Sequence, residues 1–221
     1  AYNSNMGVTN SRGLSGTYTT ETSLSVASAL APGGEPYSKI ATHDNAGRVY
    51  IYEYKNDAFG EINNFDIPVR NINYNLFKLT SNDHLSVADT YQSRFMNVYD
   101  SNSGNPPIHS ISLSGLNSKL DVSYDGKYLC EVTSEKVILY QFWTDQYGNP
   151  RYDRVNEWDN TTTKYTACKF YPEENNRLIL TSNSSFVTLT IYPVDFSTPR
   201  TGRFIDFDSF TGYITYADAD Y

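Results

Sequence analysis

Clustered positive charge is missing from this sequence: 17 basic residues stand against 25 acidic ones, the net charge is −8, and no run of lysine or arginine stands out. Binding a phosphate backbone requires such a cluster, so nucleic acid is not an expected partner. Nothing approaches the roughly 18 consecutive apolar residues of a membrane-spanning helix, and no span is expected. The opening stretch AYNSNMGVTNSRGLSG has no apolar run of the kind a signal peptide needs, although a mature chain that has shed one reads the same. Two cysteines are too few for a disulfide scaffold. Cys130 and Cys168 fall in apolar segments, so they read as small buried thiols; a bridge between them requires that neighbouring units bring them together.

Motifs for chemistry are equally scarce. The histidines His43, His84 and His109 show no short spacing typical of a metal pair, and no metal or cofactor is expected. There is no G-x-x-x-x-G-K-[ST] loop, no G-x-G-x-x-G after a strand and no G-x-S-x-G elbow, so no catalytic residues are assigned and an enzyme is not expected. His43, beside Asp44 at a turn, reads as a solvated histidine in preference to a rim residue facing a ligand. Asp206 with Asp208, and Asp218 with Asp220, would each share one face of a strand, where two carboxylates can converge on a cation or a sugar. Turn and edge positions explain them better.

What the chain does have is repetition. KIATHDNAGRVYIY, HLSVADTYQSRFMNVY, KYLCEVTSEKVILY and RLILTSNSSFVTLTIY each read as an apolar strand, a polar turn and a second apolar strand ending in tyrosine. Those tyrosines, Tyr52, Tyr99, Tyr140 and Tyr192, are spaced by 47, 41 and 52 residues. Strands recurring at this period are the signature of a blade repeat. With 39% hydrophobic residues and 20 tyrosines beside 11 phenylalanines, the composition suits a folded domain of half-buried strand faces.

The expected fold is all-β, a propeller of four-stranded antiparallel blades, with four blades and part of a fifth in this chain. Residues 1–24 read as a flexible or latching arm. The blades are expected near 25–67, 69–113, 116–158 and 165–196, with an incomplete one at 203–221. A β-sandwich of two packed sheets is the competing architecture.

The phrase VSYDGKYLCEVTSEKVILYQF resembles a blade of the WD-repeat propellers. Equivalents of that family's Ser-Pro-Asp-Gly turn stand at Ser123 to Gly126, Phe170 to Asn176 and Phe207 to Gly212, and Asp44, Asp89, Ser134, Ser182 and Asp218 occupy its second-strand Ser/Asp position. Tyrosine replaces the usual Trp-Asp, with Tyr99-Asp100 the nearest match, and the opening Gly-His pair is missing. The family's His, Ser, Asp and Trp network inside the blade therefore has no direct counterpart.

A blade stack with free edges must be closed or covered. The sequence stops in mid-blade after YADADY, so it is expected to be a piece of a longer propeller; a five-bladed ring latched by residues 8–24 is the alternative.

The resemblance implies a non-catalytic scaffold that presents loops to a protein partner as a subunit of a larger complex, in the cytoplasm or nucleus of a eukaryote. An extracellular carbohydrate-binding or hydrolytic, lactonase-like propeller is the other reading. It draws on the acidic balance and on two sequons, whose acceptors Asn160 and Asn183 fall in expected loops. For the scaffold, the turns between second and third strands supply Asp44, Arg48, Tyr91 and Arg94 as candidate partner-binding residues, because tyrosine and arginine are frequent interface anchors.

Overall fold

Short apolar alternations separated by Gly, Asn and Asp turns leave the backbone one economical way to satisfy its hydrogen bonds, the antiparallel meander. The computed structural model describes residues 23–30, 36–44, 47–55, 58–67, 75–90, 94–171, 176–183, 185–191 and 209–213; for 23–30, 36–38 and 209–213 it is the backbone pairing that is described. Among these residues there are sixteen strands and no helix. The first sheet holds β1 (Ser23–Leu30), β2 (Pro36–His43), β3 (Arg48–Lys55) and β4 (Ala58–Asp66). The second holds β5 (Leu76–Leu79), β6 (His84–Ala88), β7 (Phe95–Asp100) and β8 (Gly104–Ser112). In the third are β9 (Lys119–Val122), β10 (Tyr128–Val132), β11 (Lys136–Thr144) and β12 (Pro150–Asp159), and in the fourth β13 (Ala167–Phe170), β14 (Arg177–Thr181), β15 (Ser185–Thr190) and β16 (Ser209–Tyr213).

Every sheet pairs its strands in chain order. First strands of successive sheets adjoin, β1 with β5, β5 with β9 and β9 with β13, while β8 touches both β4 and β12 on the outside. The sheets thus stand side by side as blades with their first strands innermost. Four separate sheets in sequence replace the two packed sheets that a sandwich would show.

Two sequence expectations need correction. Tyr52, Tyr99 and Tyr140 do occupy equivalent positions, three residues after Val49, Met96 and Val137, which open the β2–β3, β6–β7 and β10–β11 pairings. In the fourth sheet the pairing opens at Phe186, so the equivalent residue is the buried Leu189. Tyr192 lies outside the described residues. Residues 209–213, expected to belong to a fifth blade, instead pair with β15 from Leu189↔Ser209 to Ser185↔Tyr213. The edge of β15 needs a partner for its backbone groups, and this segment supplies it. The arm up to residue 22 is outside the described residues.

The second and third blades are apolar on both faces. Along β10, Tyr128, Cys130 and Val132 point to the fourth sheet and join Val137, Leu139, Cys168, Phe170, Leu178 and Leu180. Leu129, Ile138 and Tyr140 point the other way, into a layer with Met96, Val98, Ile111 and Leu113 of the second sheet. A third layer between the first two sheets contains Val49, Ile51, Phe65, Leu85 and Tyr99. Period-2 alternation with both phases apolar is what a blade between two neighbours requires. Gly104 marks a close approach across that first interface: its φ is +78°, and a Cβ there would lie 2.8 Å from the Phe65 ring.

Polar ties cross the same interfaces. Lys39 on β2 donates to Asp83 of the second sheet at 2.7 Å. Lys78, Asp121 and Lys169 occupy equivalent places on the inner strands β5, β9 and β13. The fully buried Asp121 carboxylate accepts from Lys78 Nζ at 2.9 Å and from the Phe170 backbone N–H at 2.7 Å, with Lys169 Nζ at 3.8 Å. A buried charge persists only when paired and hydrogen-bonded in this way.

Glu131, also fully buried, sits on β10 and gathers the Ser114 N–H (2.9 Å), the Gly115 N–H (3.1 Å), the Ser118 hydroxyl (2.7 Å) and the Tyr140 hydroxyl (2.8 Å). Burial, and then the Glu131 charge, push the Tyr140 hydroxyl's pKa up. Replacing Glu131 by Ala strands these donors, so Glu131→Ala is expected to lower unfolding free energy by about 3 kcal/mol, and Tyr140→Phe by about 1 to 2. Urea titration of the three proteins measures this, and equal midpoints would refute the tie.

Burial also lowers the pKa of all three histidines below 6.5. His43 is fully enclosed, edge-on to Phe77 at 4.8 Å, and donates Nδ1–H to the Asp44 carbonyl at 3.2 Å; the solvated turn histidine expected from sequence is a core residue. With folded values below the unfolded one, the unfolded chain binds more protons in that window. The stabilisation is complete above about pH 6.5 and is lost as pH falls through the folded values. Melting temperature is accordingly expected to drop between pH 7.5 and 5.5, with a shallower slope in His43→Leu.

Candidate functional site

In an up-and-down meander the turns after second strands and the linkers between blades share one end of the stack. Backbone bonds fix them there: Ile67 N–H to Gly47 O (2.8 Å), Leu113 N–H to Arg94 O (2.7 Å) and Asn160 N–H to Glu135 O (2.7 Å). Asp44, Arg48 and Arg94 all lie at this end, at or beside such turns, and Tyr91 is outside the described residues.

The structure brings Asp44 and Arg48 together, but it occupies both with local work. Asp44 Oδ1 accepts the Arg48 backbone N–H at 3.0 Å, closing the turn, and Oδ2 accepts the Tyr50 hydroxyl at 3.4 Å. The Arg48 guanidinium grips Asp66 through Nε at 2.9 Å and Nη2 at 3.4 Å, and this hydrogen bonding holds the Asp66 carboxyl below the usual carboxylate range. Lys136 and Glu157 repeat the arrangement in the third sheet at 3.0 Å. Such exposed pairs orient side chains and add little stability.

Arg94 differs. It is exposed and makes no ion pair among the described residues. Next to it Phe95 opens β7 with 51% of its surface exposed, opposite Ser112. The chain then enters the linker 113–118, whose Leu116 is 47% exposed. Clamps hold that linker on both sides. Glu131 takes its amides and the Ser118 hydroxyl, as above. On the other side Asn117 N–H donates to Thr90 O at 2.8 Å, and Ser118 O accepts from Asn75 Nδ2 at 2.6 Å and the Thr90 hydroxyl at 2.9 Å. Asn117 adopts φ +58°, a conformation that asparagine tolerates. Leu116 is therefore an apolar side chain displayed on a clamped loop, at the same end of the stack as Phe95 and Arg94.

Sequence reasoning missed Phe95 and Leu116. The available signal was a bulky apolar residue inside turn-forming LSGLNS and another at the very start of a strand, positions where alternation assigns no core face.

Asn160 corrects another expectation. It was expected in an accessible loop, yet it is 1% exposed. Its Nδ2 donates to Thr133 O at 2.7 Å and Tyr165 O at 2.9 Å, and its Oδ1 accepts the Tyr165 N–H at 2.6 Å. The nitrogen that would carry a glycan is already committed to joining the third and fourth blades. Asn183 is exposed in the β14–β15 turn. The paired acids Asp206, Asp208, Asp218 and Asp220 lie outside the described residues, and among those described no three His, Cys, Asp or Glu side chains group as metal ligands. At the opposite end, Asp145 organises the β11–β12 turn by accepting the Tyr147 and Asn149 N–H groups, each at 2.9 Å, and leaves Tyr147 79% exposed. Those bonds, the Asn149 amide foremost, hold the Asp145 carboxyl below its usual range.

Compared by sequence, the chain matches no family model and no curated protein. Compared by structure, it is similar to the WD40 domain of SCAP from fission yeast, with a TM-score of 0.56 and 11% identity over 86% of this chain and 44% of that one. The chain thus spans less than half the length of that domain. Its blades have the WD40 β-propeller fold. Matches extend to 307 solved chains, so the likeness fixes an architecture and selects no partner.

The Asn160 clamp is testable on stability. Asn160→Ala leaves two carbonyls and an amide without partners, and a loss of about 2 to 3 kcal/mol is expected. Urea unfolding of the variant checks it; an unchanged midpoint would mean that water replaces the side chain.

Proposed function

We propose that this chain is a non-catalytic interaction scaffold, a subunit that offers the linker-and-turn end of its blades to a protein partner. The observation that carries the reading is the exposure of Leu116 on a linker held by Glu131, Thr90 and Asn75, at the same end of the stack as the exposed Phe95 and Arg94. A partner docking there orders little that is not ordered beforehand, and two apolar side chains beside an arginine are the composition of an interface anchor. Tyr91, Asp44 and Arg48 complete the proposed partner-binding set. A reducing intracellular compartment suits the two unbridged cysteines. If the chain instead passes through a secretory route, Asn183 is the acceptor sequon in keeping with its exposure.

Immobilised chain, incubated with extract and read by quantitative mass spectrometry, tests the face. Proteins retained by the native chain are expected to fall about tenfold or more with Phe95→Ala/Leu116→Ala and with Arg94→Ala, an effect of roughly 1.4 kcal/mol or more. Tyr147→Ala, at the opposite end, is expected to retain them. Equal losses in all variants, or none, would reject this face, and glycan-array binding without any retained protein would favour the carbohydrate-binding reading.

A further inference from the structure

The two cysteines of the chain come from different sheets, 38 residues apart, and meet. Cys130 lies on β10 of the third sheet and Cys168 on β13 of the fourth, in the same apolar layer. Cys168 Sγ donates to the Cys130 carbonyl oxygen at 3.5 Å and lies 3.8 Å from that of Lys119. Both are reduced. The contact is held from outside: Asp121, which pairs with Cys130 across β9 and β10, accepts the backbone N–H of Phe170, two residues past Cys168. As packing units alone, two small apolar side chains among these leucines and valines have no need to touch.

We propose that Cys130 and Cys168 are an inter-blade disulfide site, oxidised by small-molecule disulfides of the glutathione type, and that the bond locks the third blade to the fourth. With Cys168 Sγ already against the Cys130 backbone, a small movement of the side chains brings the sulfurs to an S–S bond of about 2.0 Å. One protein thiolate attacks a sulfur of the small disulfide, forming a mixed disulfide and releasing one small thiolate. The second protein thiolate then attacks the protein-side sulfur, forms the Cys130–Cys168 bond and releases the second small thiolate. The two protons lost by the protein go to the two departing thiolates, and the two electrons from the cysteine pair reduce the oxidant.

Thiolate is the reacting form, and burial pushes the Cys130 thiol's pKa up. Access and ionisation both require the interface between the third and fourth sheets to open, so the reaction rate reports that opening. Once bridged, the interface is closed covalently until a dithiol reductant cleaves it.

The test incubates the full chain with oxidised glutathione at alkaline pH, across urea concentrations below the unfolding transition. Expected are a mass loss of about 2 Da with no glutathione retained, and tryptic peptide 128–136 joined to 165–169. Bridging should be faster as urea rises, and the melting temperature should increase by several degrees and return on adding dithiothreitol. Cys130→Ala and Cys168→Ala should each retain a single glutathione of about 305 Da. Two retained glutathiones on the native chain, intermolecular dimers, no reaction even where urea opens the interface, or a bridged form that melts lower would each overturn the proposal. The native chain's peptide map decides the matter even if a variant fails to fold.

Discussion

A sheet that is apolar on both faces cannot stand alone in water, and that constraint organises this molecule. The third blade is the clearest case. β10 and β11 alternate, yet both phases of the alternation are apolar, with Cys130, Val132 and Leu139 on one side and Leu129, Ile138 and Tyr140 on the other. Burying both sets requires a neighbour on each face, and the neighbours are the sheets before and after it in sequence. Stacking is thus built into the second and third blades, and the short linkers ensure that the covering sheet is the next one made.

Apolar layers between flat sheets do not by themselves choose a register, because one sheet can slide over another at little cost. Polar ties crossing each layer remove that freedom. Lys39 reaches Asp83 between the first two sheets, Lys78 reaches Asp121 between the second and third, and Asp121 accepts the Phe170 amide between the third and fourth. Each is worth little as an isolated ion pair, but a one-residue slip would leave a buried carboxylate or ammonium unpaired, and that penalty is large. Specific alignment, more than net stability, is what these groups contribute.

Much of this was legible in the sequence, because the stacking constraint writes itself as alternation. The first, second and third repeats, their strand order and the buried thiols follow from apolar periodicity and turn residues. The fourth repeat was misaligned for an equally physical reason: Leu189 packs where a tyrosine was expected, and a nearby tyrosine, Tyr192, offered a false register. His43 and Asn160 were assigned to solvent because their neighbours are turn-forming, whereas a tight turn against an adjacent blade buries whatever points inward. Long-range partners were invisible. Nothing local to Glu131 announces that Ser114, Ser118 and Tyr140 will converge on it, and so nothing pointed to the loop that displays Leu116.

That same dispersal of roles accounts for a WD40 fold without a sequence match. The resemblance to WD repeats lacks the family's Gly-His and Trp-Asp residues, yet the junctions between these blades are tied. In the third blade Glu131 joins linker to strand through Tyr140; in the second, Asn75 and Thr90 hold Ser118; at the next junction Asn160 bonds Thr133 and Tyr165. Two junctions, the linker 113–118 and the one after Asn160, use different residue sets. What is repeated is the requirement that a linker crossing between two apolar layers have its backbone groups satisfied. Any side chain with the right donors and reach can meet it, so the solution drifts from blade to blade while the architecture stays. Once a linker is clamped from beneath, its outward residue is released from structural duty, and Leu116 occupies such a position.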